Sequence, residues 1–277
     1  MVKGKITLDY LRNKKNTGHK ITMMTAYDYS SARLVDEAGI DVVLVGDSLG
    51  MVVLGYDSTV PVTMDEMVHH LKAVSRGVKN SFIIGDMPFM SYHVSREKAV
   101  ENAGRFIKEG RCDAVKIEGG SKMAPIVQAV VDVGIPVCGH IGLTPQTATM
   151  LSGFKVQGQD KDSASELLTF ARDIEDAGAF MIVMECIPDL LAKRIAEEVS
   201  IPAIGIGAGA DCDGQVLVYH DVLGLFERFT PKFVKRYADL APVIKEALIR
   251  YRNDVETGSF PGPEHCFHMK SDDVDKI

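Results

Sequence analysis

The sequence predicts an α/β protein built as a single (β/α)8 TIM barrel. Three observations lead there. Short apolar strands alternate with helical stretches until eight strands are counted. Four of those strands end in an acid: Val42-Val-Leu-Val-Gly-Asp47, Phe82-Ile-Ile-Gly-Asp86, Ala114-Val-Lys-Ile-Glu118 and Met181-Ile-Val-Met-Glu185. The length of 277 residues suits one barrel, a fold that runs to roughly 250 residues as one domain. No linker rich in Pro, Gly or Ser cuts the chain. Residues 1–277 are therefore taken as a single domain, with a barrel core over about 20–225 and a helical and irregular C-terminal tail over 226–277.

Residues 1–19 form a lead-in segment, partly helical around Leu8 to Lys14. Lys20 to Tyr27 is the first strand, and Asp28 caps a helix that Gly39 stops. The second strand, Val42 to Asp47, runs into a long loop from Ser48 to Pro61. Thr63, with Glu66 three residues on, makes a capping box for a helix to Val78. After the third strand, Ser95 caps a helix that continues to Glu109 and ends at Gly110. The fourth strand is followed by a helix from Ser121 to Val133, and Pro136 to Leu143 holds the fifth strand. Thr144 to Lys161 is polar and aperiodic, a second long loop. Asp162 or Ser163 caps the next helix, which ends at Gly178. The sixth strand ends at Glu185, and Pro188 opens a helix to Val199. Pro202 to Gly209 and Gln215 to Tyr219 are the last strands, with no clear helix between them. A helical tail is expected over Pro231 to Asn253.

A formal charge of -7 gives no electrostatic reason to bind nucleic acid or an acidic membrane surface. No apolar run reaches the roughly 20 residues of a membrane helix. The five cysteines are scattered without a CxxC, which fits a reduced, cytoplasmic compartment.

In such barrels the chemistry lies on the loops after the strands' C-terminal ends, where Asp47, Asp86, Glu118 and Glu185 all fall. Strand alternation puts Lys116 on the same face as Glu118. Charges there need partners or a charged ligand. Mg2+ takes hard oxygen ligands, usually one or two carboxylates plus waters and substrate oxygens, a role that suits Asp47 and Asp86. Four ionised acids, a dication and Lys116 sum to -1 before an anionic substrate binds. One acid, assigned to Glu185, should therefore have a raised pKa, as a general base working near neutrality requires.

Other signals are weaker. Gly205-Ile-Gly-Ala-Gly-Ala210 matches a dinucleotide fingerprint but leads to another strand, so a tight rim loop is the better reading. His140 follows the fifth strand and either faces the site or bonds structurally. His69 and His70 read as packing residues, and His265 and His268, near Glu264 and Cys266, as an adventitious cluster. Cys186, next to Glu185, should point to the opposite side of the strand and pack there.

Longer motifs carry a resemblance. They include Met24-Thr-Ala-Tyr-Asp28, Val45-Gly-Asp-Ser-Leu-Gly50, Gly55-Tyr-Asp-Ser-Thr-Val-Pro-Val-Thr63, Gly139-His-Ile-Gly-Leu-Thr-Pro-Gln146, Gln215-Val-Leu-Val-Tyr-His-Asp-Val-Leu-Gly-Leu225 and Phe260-Pro-Gly-Pro-Glu-His-Cys-Phe267. With these the chain resembles the 3-methyl-2-oxobutanoate (ketopantoate) hydroxymethyltransferase family, barrels of the phosphoenolpyruvate/pyruvate type. The resemblance implies Asp47, Asp86 and Glu118 at a Mg2+ ion, with Asp47, Ser48, Asp86 and Lys116 at the substrate and Glu185 as the catalytic proton acceptor. It further implies 5,10-methylenetetrahydrofolate as co-substrate, 3-methyl-2-oxobutanoate as acceptor, a cytoplasmic homodecamer of two pentameric rings, and a place at the start of pantothenate biosynthesis. Two other readings stay open: a Mg2+-dependent oxo-acid lyase or phosphonomutase, and a non-catalytic barrel that binds an oxo acid.

Overall fold

The structure, a computed structural model, describes residues 4–151, 153–269 and 273. The basic start at residues 1–3 and most of the polar C-terminus past 269 lie outside them. Eight parallel strands close into a barrel in sequence order: β1 (Ile21–Thr25), β2 (Val42–Val45), β3 (Phe82–Asp86), β4 (Ala114–Glu118), β5 (Val137–Gly142), β6 (Met181–Glu185), β7 (Ala203–Ile206) and β8 (Gly214–Leu217). The helices are α1 (Leu8–Asn16), α2 (Tyr29–Glu37), α3 (Leu49–Val52), α4 (Met64–Gly77), α5 (Arg96–Arg105), α6 (Ala124–Asp132), α7 (Lys161–Asp176), α8 (Asp189–Glu198), α9 (Tyr219–Val222) and α10 (Leu240–Thr257).

Period-2 alternation divides the apolar residues between two cores. Met23, Val42, Ile84, Ala114, Cys138 and Val183 fill the barrel interior. Their strand neighbours Val43, Ile83, Val115 and Ile182 pack outward with Leu71 of α4 and Ile174 of α7. Strands buried on both faces read as continuous apolar runs, which is why they were visible in the sequence. The lead-in segment closes the N-terminal end of the barrel, where Ile6 and Leu11 join the interior core. Three lysines pin it there: Lys5 to Asp113, Lys14 to Asp41 and Lys15 to Asp213, at 2.7, 2.6 and 2.7 Å. Each of these acids immediately precedes a strand, and each also accepts a backbone N–H from a neighbouring strand, at Ile83, Thr22 and Ala203 respectively.

The expected capping box of Thr63 with Glu66 is present, and the expected Asp28 cap also forms a box, with Ser31. Other boundaries differ. The helix begun at Ser95 changes to a π-turn over Phe106–Gly110, and Arg111 reverses it at φ 58°. The cap of α7 is Asp160, which forms a capping box with Ser163, so the helix starts one turn earlier than Asp162 or Ser163 would allow. The loop after β2 carries the short α3, and β8 ends at Leu217 with Tyr219 already helical. Residues 231–239 are not helical. Their continuation hydrogen-bonds back onto α9, Tyr237 N–H to Val222 and Leu240 N–H to Leu223, which delays α10 to Leu240. Among the described residues, no helix lies between β7 and β8, and none is long and apolar enough to cross a membrane.

Candidate active site

The parallel register brings the strand-end residues to one level. Asp86 pairs with Lys116 across β3 and β4, Glu118 with His140 across β4 and β5, and Gly142 with Glu185 across β5 and β6. Gly142 has φ 91°, and a Cβ there would collide with the Glu185 carbonyl oxygen, so this close approach requires glycine.

Asp47, Asp86, Lys116, Glu118 and His140 are each at most 4% exposed. Lys116 Nζ lies 2.9 Å from Asp86 Oδ1, 3.5 Å from Glu118 Oε1 and 3.1 Å from His140 Nδ1. Burial works against the Lys116 charge, but Asp86, Glu118 and Asp47 outweigh it and hold the ammonium well above the usual lysine range. Burial, then the charges of Asp86 and Glu118, push Asp47 well above the carboxylate range. Burial likewise raises Asp86, against the pull of Lys116. Burial would raise Glu118 too, but Lys116 and His140 bring it below its ordinary value. The structure places raised carboxyls at Asp47 and Asp86, because these two are buried side by side with a third acid.

Asp47, Asp86 and Glu118 can each offer one oxygen within 4.8 Å of the others. The buried Asp86 Oδ1, although close to Lys116, accepts no hydrogen bond of acceptable geometry. Three converging carboxylates, one with an oxygen that accepts no hydrogen bond and two raised chiefly by burial, fit a hard divalent cation.

His140 faces the site. Its Nδ1 is 3.3 Å from Glu118 Oε1 and its Nε2 3.3 Å from Glu185 Oε2, so it bridges the acid cluster to the proposed base. Ser48 Oγ is 2.8 Å from the buried Tyr27 hydroxyl. Gln146, in the loop read as merely polar, binds the cluster from above. Its amide donates to Asp47 Oδ2 at 3.0 Å and to the Met87 carbonyl at 2.9 Å, its backbone N–H donates to Glu118 Oε2, and its Oε1 accepts from Tyr92. Gln146 and Tyr27 belong to quoted motifs, but nothing in their spacing marked them as ligand holders.

Asp47, Ser48, Asp86, Lys116, Glu118, His140 and Glu185 line one cavity of about 900 Å³ at the C-terminal end of the barrel. Cys186 lines it too, contrary to the expectation that it packs on the far side: at φ 48° the backbone leaves the strand and alternation stops. Burial and the Glu185 charge push its thiol up to about 12, so it is no thiolate nucleophile near neutrality. The irregular segment after α9 supplies Phe226, Phe229 and Phe233 to the same cavity. Arg228 bonds the carbonyls of Tyr56 and Gly55 and so ties this segment to the loop after β2. His265, Glu264 and Cys266 lie exposed at the far end of the chain.

Solved structures similar to this one are barrels of the same type. Phosphonopyruvate hydrolase, solved with oxalate and Mg2+, aligns with TM-score 0.60 at 12% identity, over 97% of this chain and 93% of that one. 2,3-Dimethylmalate lyase, of the PEP mutase/isocitrate lyase superfamily, aligns with TM-score 0.54 at 15% identity, over 97% and 93%. Likenesses this distant carry the fold alone. Sequence relatives are far nearer. The 3-methyl-2-oxobutanoate hydroxymethyltransferase of Heliobacterium modesticaldum is 60% identical over 265 residues, 96% of each chain. That of Syntrophomonas wolfei is 56% identical over 273 residues, 99% of each. The family model described as ketopantoate hydroxymethyltransferase matches residues 5–263, and on that span the chain belongs to the ketopantoate hydroxymethyltransferase family.

Proposed function

We propose that the protein transfers a hydroxymethyl group from 5,10-methylenetetrahydrofolate to 3-methyl-2-oxobutanoate, giving 2-dehydropantoate, the first step of pantothenate synthesis. The observation that carries this is the buried group of Asp47, Asp86 and Glu118 around Lys116, with Glu185 beside it, in a chain of this family. Asp47, Asp86 and Glu118 are the residues that would hold Mg2+, whose Lewis acidity would stabilise an enolate at the 2-oxo group.

The chain's own groups supply the rest. Ser48, Asp47, Asp86 and Lys116 bind and orient the oxo acid, with Lys116 placing a fixed positive charge beside the oxygen where negative charge develops. Glu185, half-buried on the cavity wall, takes the proton from C3. His140 Nε2 lies 3.3 Å from the Glu185 carboxylate and has no other partner among the described residues, so it is placed to steady the base. The C3 carbanion bonds to the one-carbon unit, water supplies the hydroxyl oxygen, and tetrahydrofolate leaves. Five cysteines, all free, support a cytoplasmic setting. Assembly of several copies is supported by α10, an 18-residue helix with no buried residue, and a homodecamer of two pentameric rings is what the family resemblance implies.

The test is product formation from the two substrates with Mg2+ and with EDTA. Product that disappears with EDTA is expected. Folded protein that makes none, yet cleaves a related oxo acid without folate, would replace this reading with the lyase one.

A further inference from the structure

The cavity is larger than its acid cluster needs. An oxo acid of eight non-hydrogen atoms occupies a small part of about 900 Å³. The remainder is lined by Met51, Val52, Phe154, Phe226, Phe229 and Phe233, an aromatic-rich wall suited to a flat heterocycle. One acid of this cavity has no part in the reaction as described, namely Asp221 on α9. It is half-buried, and its carboxylate makes no hydrogen bond or ion pair among the described residues. Arg236, the cation that partly offsets its charge, is committed to Thr230 Oγ1 at 2.7 Å and to Asp239 at 3.8 Å. A half-buried carboxylate with no protein donor, facing a cavity, is the acceptor a ligand with paired N–H groups would complete.

We propose that Asp221 recognises the pterin ring of the one-carbon donor by accepting its N3–H and 2-amino hydrogens together. This rests on the folate reading given above. Two further features agree with it. The cavity lining also includes Lys155 and Lys232, both exposed, whereas Asp221 is half-buried. The cavity therefore carries an acid within and two ammonium groups toward solvent. Tetrahydrofolate has matching ends: N–H donors on the pterin, carboxylates on the glutamate tail. The reacting methylene sits on N5, adjacent to the pterin, so the pterin end must lie nearer the acid cluster. Asp221 is on that side, because the ring of its neighbour His220 lies 5.4 Å from that of Tyr27, which bonds Ser48.

The experiment is steady-state kinetics of Asp221→Asn with each substrate varied in turn, together with calorimetric binding of tetrahydrofolate and of tetrahydropteroate, which lacks the glutamate. Losing a charge-assisted pair should raise KM for methylenetetrahydrofolate, and the dissociation constant of tetrahydrofolate, about 10- to 100-fold, with KM for the oxo acid unchanged. The wild type should bind tetrahydropteroate more weakly than tetrahydrofolate, and the double variant Lys155→Gln, Lys232→Gln should lose that preference. An unchanged donor KM, or an equal rise for both substrates, would overturn the assignment of Asp221. No preference for the glutamate form in the wild type would overturn the orientation. If the wild type ignores methylenetetrahydrofolate but condenses free formaldehyde with the oxo acid, the donor reading fails and takes the pterin site with it.

Discussion

Lys116 and its three acids were legible because charge on an otherwise apolar strand is costly unless something demands it. Their roles can be separated by substitution. Glu185→Gln should cut turnover by at least about 10²-fold while the oxo acid still binds. Near-normal turnover would remove Glu185 from the base role. Asp86→Ala should raise the Mg2+ needed for half-maximal activity, since it deletes the orphaned Oδ1. Gln146→Ala should do so by about 10-fold without touching the metal, because the Gln146 side-chain amide fixes Asp47, while its backbone N–H to Glu118 survives the substitution. A Mg2+ titration of activity decides both. Gln146 was not legible: its importance comes from where the loop after β5 lands, not from a pattern along the chain. Cys186 was misplaced for a related reason, since alternation holds only while φ stays extended.

Elements were legible where caps and burial agree. The Asp28 cap fixed the start of α2 and the Thr63–Glu66 capping box that of α4, and apolar runs fixed β2 to β6. The end of α5 was not legible, because a π-turn leaves no residue signature distinct from a helix. At this scale Asp36 of α2 makes a pH prediction. Burial alone would raise its carboxyl, but N–H groups of Ser81 and Asn80, the Ser81 hydroxyl and the Lys79 N–H together hold it below its ordinary value. Its folded pKa therefore lies under the unfolded one, and its contribution is complete above the unfolded value of about 4 and lost as pH falls through the folded value. Asp36→Asn should lower stability by about 1–3 kcal/mol at pH 7. Thermal melts of both proteins from pH 7 to pH 3 should converge below about pH 4. A constant gap would contradict the sign.

Over the whole molecule, closure of the sheet follows from eight strand–helix repeats, but the tail does not. Residues 231–239 lie as they do because of hydrogen bonds to α9, and local propensity cannot report those. α10 extends this irregularity: Val243, Ile244, Leu248, Tyr251 and Val255 are all exposed on it. Around the barrel, β1 and β8 each also have an exposed central residue, Thr22 and Gln215. So much apolar surface on one helix calls for a partner. Mass photometry should find a particle ten chains in size, and Ile244→Asp with Leu248→Asp should reduce it. A wild-type particle of one chain's 30.2 kDa would dismiss the assembly.

The depth of the cavity has a kinetic consequence. Asp47 and Asp86 are 3% and 2% exposed, whereas Phe154 and Phe229 on the same lining are 61% and 51% exposed. A bulky donor seated among those aromatics stands between solvent and the deep acids. The small acid must arrive first and its product leave last. At scarce oxo acid, excess donor should then slow the enzyme by occupying it out of turn, and initial rates should fall rather than level off as donor is raised.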